Sequence, residues 1–288
     1  MPRVLLATCA EMPAGDEDEH VAIAALRAAG VGAQPAVWDD PAVDWSGADL
    51  VIVRSTWDYT LRRAEFLAWA RSVPRLANPA EVLAWNSDKT YLRQLADAGL
   101  PVAPTRWYEP GDDVQVPAGD VVVKPTVSAG AKDTQRHRDA AAARAHAAAL
   151  LDTGRAVMVQ PYLDAVDSAG ETGLVWMADR FSHAFGKGAL LAAGAGATDG
   201  LYAVEQIEAR QPSRAERETA EHVLDALAAL SPAGRGDLLY ARVDLVPGPS
   251  GEPVLLELEL TEPSLWFAAD ASAPARWVEA VQGWLARV

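Results

Sequence analysis

Three of the four lysines in this sequence stand where predicted elements end: Lys89 near a helix start, Lys124 after three valines, and Lys187 closing FSHAFGK. Arginines number 21, so a lysine is a departure from the chain's habit. An ammonium is a compact charge that suits a phosphate oxygen approached end-on. Beyond Lys124 the segment 126–134 turns small and polar through Ser128, Ala129 and Gly130, which lets backbone N–H groups approach an anion. It matches neither G-x-x-x-x-G-K-[ST] nor G-x-G-x-x-G, and composition alone also fits an ordinary polar loop. Asp244, Glu257 and Glu259 fall on the two last predicted strands. Glu257 and Glu259 are two apart and share a face, where two carboxylates among leucines repel and lose hydration. A hard divalent cation offsets that cost, and Mg²⁺ with nucleotide phosphates is its usual form. An exposed acidic face on an edge strand is the alternative.

These side chains need a frame, and apolar periodicity predicts one of the α/β (α+β) class. Strands are expected at 2–8, 33–38 and 48–55, with a helix over 20–30 ending at Gly30. They make residues 1–85 an open α/β domain, with Arg54 to Tyr59 at a strand's carboxyl end, where such sheets place ligands. Ser87 is expected to cap a helix over 88–98 that Gly99 ends. A strand at 121–124, an alanine-rich helix at 139–152 and a strand at 155–163 suggest a small α+β subdomain. A hairpin follows over 171–187 with its turn at Asp179 and Arg180. Ser213 and Glu216 form a capping box for a helix over 214–230. Two strands joined at Pro-Gly-Pro-Ser-Gly complete the core. The segment 188–204 holds four glycines and no clear period, a length of loop that is usually functional or disordered.

The net charge of −15 works against nucleic-acid binding, because a phosphate backbone needs a basic surface. No stretch approaches the roughly 20 apolar residues of a membrane span, and the N-terminus does not read as a signal peptide. The single cysteine, Cys9, excludes an internal disulfide and fits a buried strand position in a cytoplasmic protein. The acidic run 15–20 reads as a solvated loop. A homo-oligomer is left open.

The order DK (88–89), VVVKP (121–125), glycine-containing loop, VQPYL (159–163), ARVDL (241–245) and LELEL (256–260) resembles the ATP-grasp superfamily across residues 86–266. The resemblance implies an ATP-grasp fold with an N-terminal domain (1–85) for the acceptor substrate, a small lid subdomain (86–161) and a C-terminal domain (162–288) carrying the metal site. It implies ATP with Mg²⁺ or Mn²⁺ as cofactors. Lys89 and Lys124 would contact the α and β phosphates, with Ser128, Ala129 and Gly130 covering them. Gln160, Pro161, Tyr162 and Leu163 would clasp adenine, needing only a carbonyl from Pro161 and an N–H from Leu163. The ribose carboxylate would be Asp167 or Glu171, with Asp167 preferred. Asp244, Glu257 and Glu259 would hold the metal, although Glu259 stands where the family commonly has Asn.

Such enzymes resemble ADP-forming carboxylate ligases, in which a substrate carboxylate becomes an acyl phosphate and a nucleophile then takes the acyl group. Arg242 and Lys187 would serve the chemistry, Arg242 on the transferring phosphate or acyl oxygen; a salt-bridge role is the alternative for Arg242. The RSTWDY stretch (54–59), EPS (262–264) and the overall length are most similar to members that cyclise an O-ureidoserine-like amino acid. Arg54 would then bind a carboxylate and Asp58 an ammonium, with Trp57 as a wall and Ser55, Thr56, Tyr59 and Ser264 alongside. A plain domain interface at Trp57 and Tyr59 is the alternative. Two rivals stand beside the cyclo-ligase: an intermolecular carboxylate–amine ligase, and a nucleotide-binding regulator without turnover. The carboxylate-bearing strand argues against the regulator. Segment 188–204 is expected to cover the acyl phosphate against water.

Overall fold

The computed structural model describes residues 1–189, 191 and 206–287. The expected lid at 188–204 therefore lies outside the described residues, apart from positions 188, 189 and 191.

The chain begins with β1 (Arg3–Thr8), α1 (Glu17–Ala28), β2 (Gly32–Val37), β3 (Leu50–Val53), a 3-10 turn at Trp57–Leu61, α2 (Arg63–Ser72) and β4 (Leu76–Ala77). The strands form a parallel sheet in the order β2-β1-β3-β4. Alternate residues of β1 and β3 enter different cores, Val4, Leu6, Leu50 and Ile52 in one, Leu5, Ala7, Val51 and Val53 in the other. Burial on both faces explains their unbroken apolar sequence. Helix α1 starts earlier than its apolar spacing suggested, because Asp16 and Glu19 make a capping box there.

Next come α3 (Ala80–Asn86), α4 (Tyr91–Asp97), β5 (Arg106–Tyr108), β6 (Val121–Pro125), β7 (Gln135–His137), α5 (Ala140–Leu151) and β8 (Val157–Pro161). Ser87 does not cap α4. It ends α3, and its hydroxyl accepts from Arg63 Nε at 2.8 Å. The antiparallel sheet β5-β8-β6-β7 packs α5 over a core of its own, formed by Val121, Val123, Ala143, Ala147, Val157 and Val159 among others.

The chain continues with α6 (Val166–Ala169), β9 (Glu171–Met177), β10 (Arg180–Lys187), β11 (Ile207–Ala209), α7 (Arg214–Leu230), β12 (Tyr240–Pro247), β13 (Pro253–Glu259) and α8 (Ala273–Leu285). Met177 pairs with Arg180, so the hairpin turns at Ala178 and Asp179, one position before the expected pair. The antiparallel order is β11-β10-β9-β12-β13. One face of this sheet shares a core with the parallel sheet, through Val175, Phe185, Tyr240 and Trp277. The other face is covered by α4 and α7.

Strand β13 is an edge, and its outer backbone groups need partners. Tyr91 Oη exchanges bonds with Leu258, and Asn86 bridges Leu258 O and Leu260 N, both at 2.7 Å. From segment 101–103, Pro101 O accepts from Leu255 N and Ala103 N donates to Leu255 O. Asn78, fully buried at φ 55, donates to Tyr240 O and Leu260 O and accepts from Leu239 N. Asn78→Ala leaves three buried backbone groups without partners, and each such loss costs about 1–3 kcal/mol. The expected outcome is destabilisation by about 3 kcal/mol in urea titration; a change under about 0.5 kcal/mol, the scale of an ordinary surface substitution, would mean other groups replace it.

Candidate active site

Strands β12 and β13 bring the charged side chains together. Their register sets Arg242 opposite Glu259 and Asp244 opposite Glu257. A bulge follows, with Leu245 opposite Leu255, so Leu256 has no cross-strand partner. Leu256 thereby lines the cavity beside Glu257, while Leu255 and Leu258 stay in the core.

One cavity contains Lys89, Lys124, Lys187, Arg242, Glu171, Asp244, Glu257, Glu259 and Glu262. Lys89 Nζ lies 3.0 Å from Glu257 Oε1 and 2.5 Å from Ser128 O. Desolvation pulls Lys89 down, but Glu257, Glu262 and Glu259 hold it above the usual lysine range. Desolvation, with Lys89 adding to it, lowers Lys124 instead. No described residue gives Lys124 an ion pair, and it is 8% exposed into the cavity. Lys187 Nζ reaches Asp244 Oδ2 at 2.7 Å and Glu171 Oε2 at 3.5 Å. Arg242 donates Nε to Asp244 at 2.9 Å, Nη1 to Ser264 O at 2.9 Å, and Nη2 to both Asp244 and Glu259.

Burial would raise Asp244, but Arg242 and Lys187 overcome it and keep the carboxylate below its usual range. Glu257 is likewise lowered by Lys89 and Lys124 against its burial. Glu259 goes the other way: burial, with Glu257 and Asp244 beside it, outweighs Arg242 and raises it. Among the described residues, no three His, Cys, Asp or Glu side chains are grouped closely enough to hold a metal ion. The oxygens offered for a metal are bound to cations. Asp244 and Glu257 nevertheless supply hard oxygen donors on adjacent strands, the donor type Mg²⁺ takes.

The cavity's apolar end is made by Ala103, Val122, Val166, Val246 and Leu256, with Gln160, Pro161, Tyr162 and Leu163 along its rim. Tyr162 N–H is given to Asp120 O in the ladder with β6. Alternate residues of an antiparallel strand face its partner, so the Pro161 carbonyl points to the other edge. Gln160 is held by Thr105 Oγ1 at 2.8 Å. Ser128, Ala129, Gly130 and Ala131 cover the lysines. Gly130 and Ala131 both have positive φ, 59 and 60, which bends the loop tightly there; at alanine such a conformation costs about 1–2 kcal/mol.

Several expected residues sit elsewhere. Asp167, preferred for the ribose, does not line the cavity; it accepts from Tyr162 Oη at 2.5 Å and from Arg136, whose guanidinium lies over the Tyr162 ring. Glu171 does line it. Trp57 and Tyr59 face the cavity, but Arg54, Ser55, Thr56, Asp58 and Ser264 do not. Arg54 is buried against Pro263 O and Asp18, and Asp58 is engaged by Trp38 Nε1 and Arg62. Neither lines the cavity, and of the Arg54 guanidinium only Nη2 is hydrogen-bonded, Nε and Nη1 being buried without a partner. Ser55 bonds Thr8 and Glu19, Thr56 is fully buried, and Ser264 contributes its carbonyl to Arg242. Glu262 and Asn86 line the cavity without having been singled out. The acid beside Pro263 was a visible signal for Glu262.

Residues 4–78 match the family described as D-cycloserine synthetase DcsG, N-terminal domain. The chain is 38% identical over 284 residues to the cycloserine biosynthesis protein DcsG of Streptomyces lavendulae, covering 92% of this chain and 93% of the relative. It superposes on a crystal structure of D-cycloserine synthetase DcsG with TM-score 0.86 and 36% identity, over 98% of this chain and 99% of that one. D-alanine–D-alanine ligase from Bacillus anthracis, solved also with ATP, shares the fold at TM-score 0.66 and 13% identity, over 100% and 98% of the two chains.

Asp244 gives the site a test of its own electrostatics. Its depressed pKa means stability present above the unfolded carboxylate value and lost as pH falls through the folded one. Asp244→Asn leaves Lys187 and Arg242 poorly compensated, a loss of about 3–5 kcal/mol at neutral pH. The gap between wild type and variant should narrow below about pH 4, as measured by urea midpoints across pH. A gap independent of pH would remove the assigned ionisation.

Proposed function

The chain belongs to the DcsG family of ATP-grasp ligases, and on that premise we propose that it closes a ring within one O-ureidoserine-like amino acid, with ATP converted to ADP and phosphate. The observation that carries this reading is the single cavity in which lysines and carboxylates meet an apolar, backbone-edged end. The apolar end suits adenine, with the Pro161 carbonyl and Leu163 N–H at its edge and Glu171 for the ribose. Lys89 and Lys124 are assigned to the phosphates and Lys187 and Arg242 to the reacting end. Asp244 and Glu257 are the assigned Mg²⁺ ligands, with Glu259 less apt because burial beside Glu257 and Asp244 raises it and favours its protonated form. Mg²⁺, when bound, neutralises phosphate charge.

In the first step a substrate carboxylate oxygen bonds to the γ-phosphorus and the bond to ADP breaks, leaving an acyl phosphate. The chain's part is positioning and charge neutralisation. In the second step a nitrogen of the same molecule displaces phosphate. Carboxylate and nucleophile then arrive together at high effective concentration, so one pocket suffices. That pocket is assigned to Trp57 and Tyr59 rather than to Arg54 and Asp58. We retain 1–85, 86–161 and 162–288 as the domain division and the cytoplasm as the compartment, where a lone thiol stays reduced. No described helix is long and apolar enough to cross a membrane.

Lys124→Ala removes a charged partner from an enclosed phosphate, a loss of about 2–3 kcal/mol, or about 30- to 150-fold in Mg·ATP affinity. Calorimetry should register that loss, and unchanged affinity would refute the phosphate assignment. ADP release should need only one amino acid such as O-ureido-D-serine, with a cyclic product lighter than the substrate by mass spectrometry. Strict dependence on a second amine, with a linear conjugate as product, would replace the cyclo-ligase with an intermolecular ligase.

A further inference from the structure

Glu262 is the cavity carboxylate to which neither phosphate nor metal binding gives a task. Glu171, Asp244, Glu257 and Glu259 each lie in ion-pair contact with a lysine or arginine. Among the described residues, Glu262 has no such pair; the buried Tyr59 lines the same cavity, and its hydroxyl acts on the Glu262 carboxyl. The Glu262 backbone is fixed with unusual completeness. Five successive carbonyls accept from side chains: Thr261 from Tyr240, Glu262 from Trp57, Pro263 from Arg54, Ser264 from Arg242, and Leu265 from His183. Asp18 then accepts from the N–H groups of Leu265, Trp266 and Phe267. A carboxylate is thus held at one place on the cavity wall, with Arg242 reaching the same short segment.

We propose that Glu262 accepts the proton released at ring closure and that Tyr59 is its positioning residue; this rests on the cyclo-ligase reading above. The nitrogen lone pair forms the C–N bond as the acyl carbon's bond to phosphate oxygen breaks. Phosphate leaves with that electron pair, and the proton on nitrogen passes to the Glu262 carboxylate. Burial, opposed by Lys89 and by the Tyr59 hydroxyl, raises Glu262 to about 7, which suits proton exchange near neutrality. Tyr59 is fully buried and has its own pKa pushed well up by burial and by Glu262, so it stays a donor.

The test separates the two chemical steps. Wild type, Glu262→Gln and Tyr59→Phe are incubated with Mg·ATP, O-ureidoserine and hydroxylamine, which converts an accumulated acyl phosphate to a hydroxamate. Wild type should yield mainly ring. Glu262→Gln should close the ring about 100-fold more slowly or worse while hydroxamate rises, and Tyr59→Phe should show the same shift more weakly. A ring-to-hydroxamate ratio unchanged in Glu262→Gln overturns the proposal. So does loss of both products together, which would place Glu262 in carboxylate activation, or a raised KM for the amino acid with kcat intact, which would make it an ammonium ligand. If wild type forms neither hydroxamate nor ring, the cyclo-ligase reading itself fails.

Discussion

Bringing four cations and five carboxylates to one cavity wall constrains everything built around it. None of these groups tolerates such desolvation alone, and the arrangement persists because all but Lys124 and Glu262 are paired with an opposite charge. Asp244 holds Lys187 and Arg242, and Glu257 holds Lys89. The pairing also defines how a nucleotide with its metal could enter. Phosphates would take the lysines, a divalent cation would take the carboxylates, and the exchange would keep the local charge nearly balanced. Lys124 needs no exchange among the described residues, which makes it the cation most ready to meet an anion.

Such a wall must be rigid, and the rigidity originates in polar groups far from it in sequence. Asn78, Asn86 and Tyr91 fasten the backbone of β13, the strand that carries Glu257 and Glu259. The shared core between the parallel and antiparallel sheets brings the strand ends that carry Trp57 and Tyr59 to the same place. The bulge at Leu256 then provides an apolar surface next to the charges, so one strand serves both ends of the cavity.

Much of this was legible beforehand. Runs of valine and leucine at β1, β3, β6 and β12 marked buried strands, and rare lysines at element ends marked the site. What stayed hidden depends on partners distant in the chain. Nothing local in RSTWDY tells that Arg54 will be buried with its Nη2 on Pro263, 209 residues away, or that Asp58 will be taken by Trp38. Ser87 had the right type for a helix cap, but α3, which it ends, was not visible as a separate helix. The preference for Asp167 over Glu171 failed to foresee Arg136 and Tyr162, which draw Asp167 away from the cavity.

The carbonyl ladder at 261–265 also bears on how relatives with other acceptors could arise. Its shape is set by donors from outside, acting on backbone oxygens that every residue type provides. The Glu262 side chain plays no part in that anchoring, which runs through its carbonyl. It can be exchanged while the frame is inherited whole, so a lineage could change what the cavity presents by one substitution and keep the geometry that presents it.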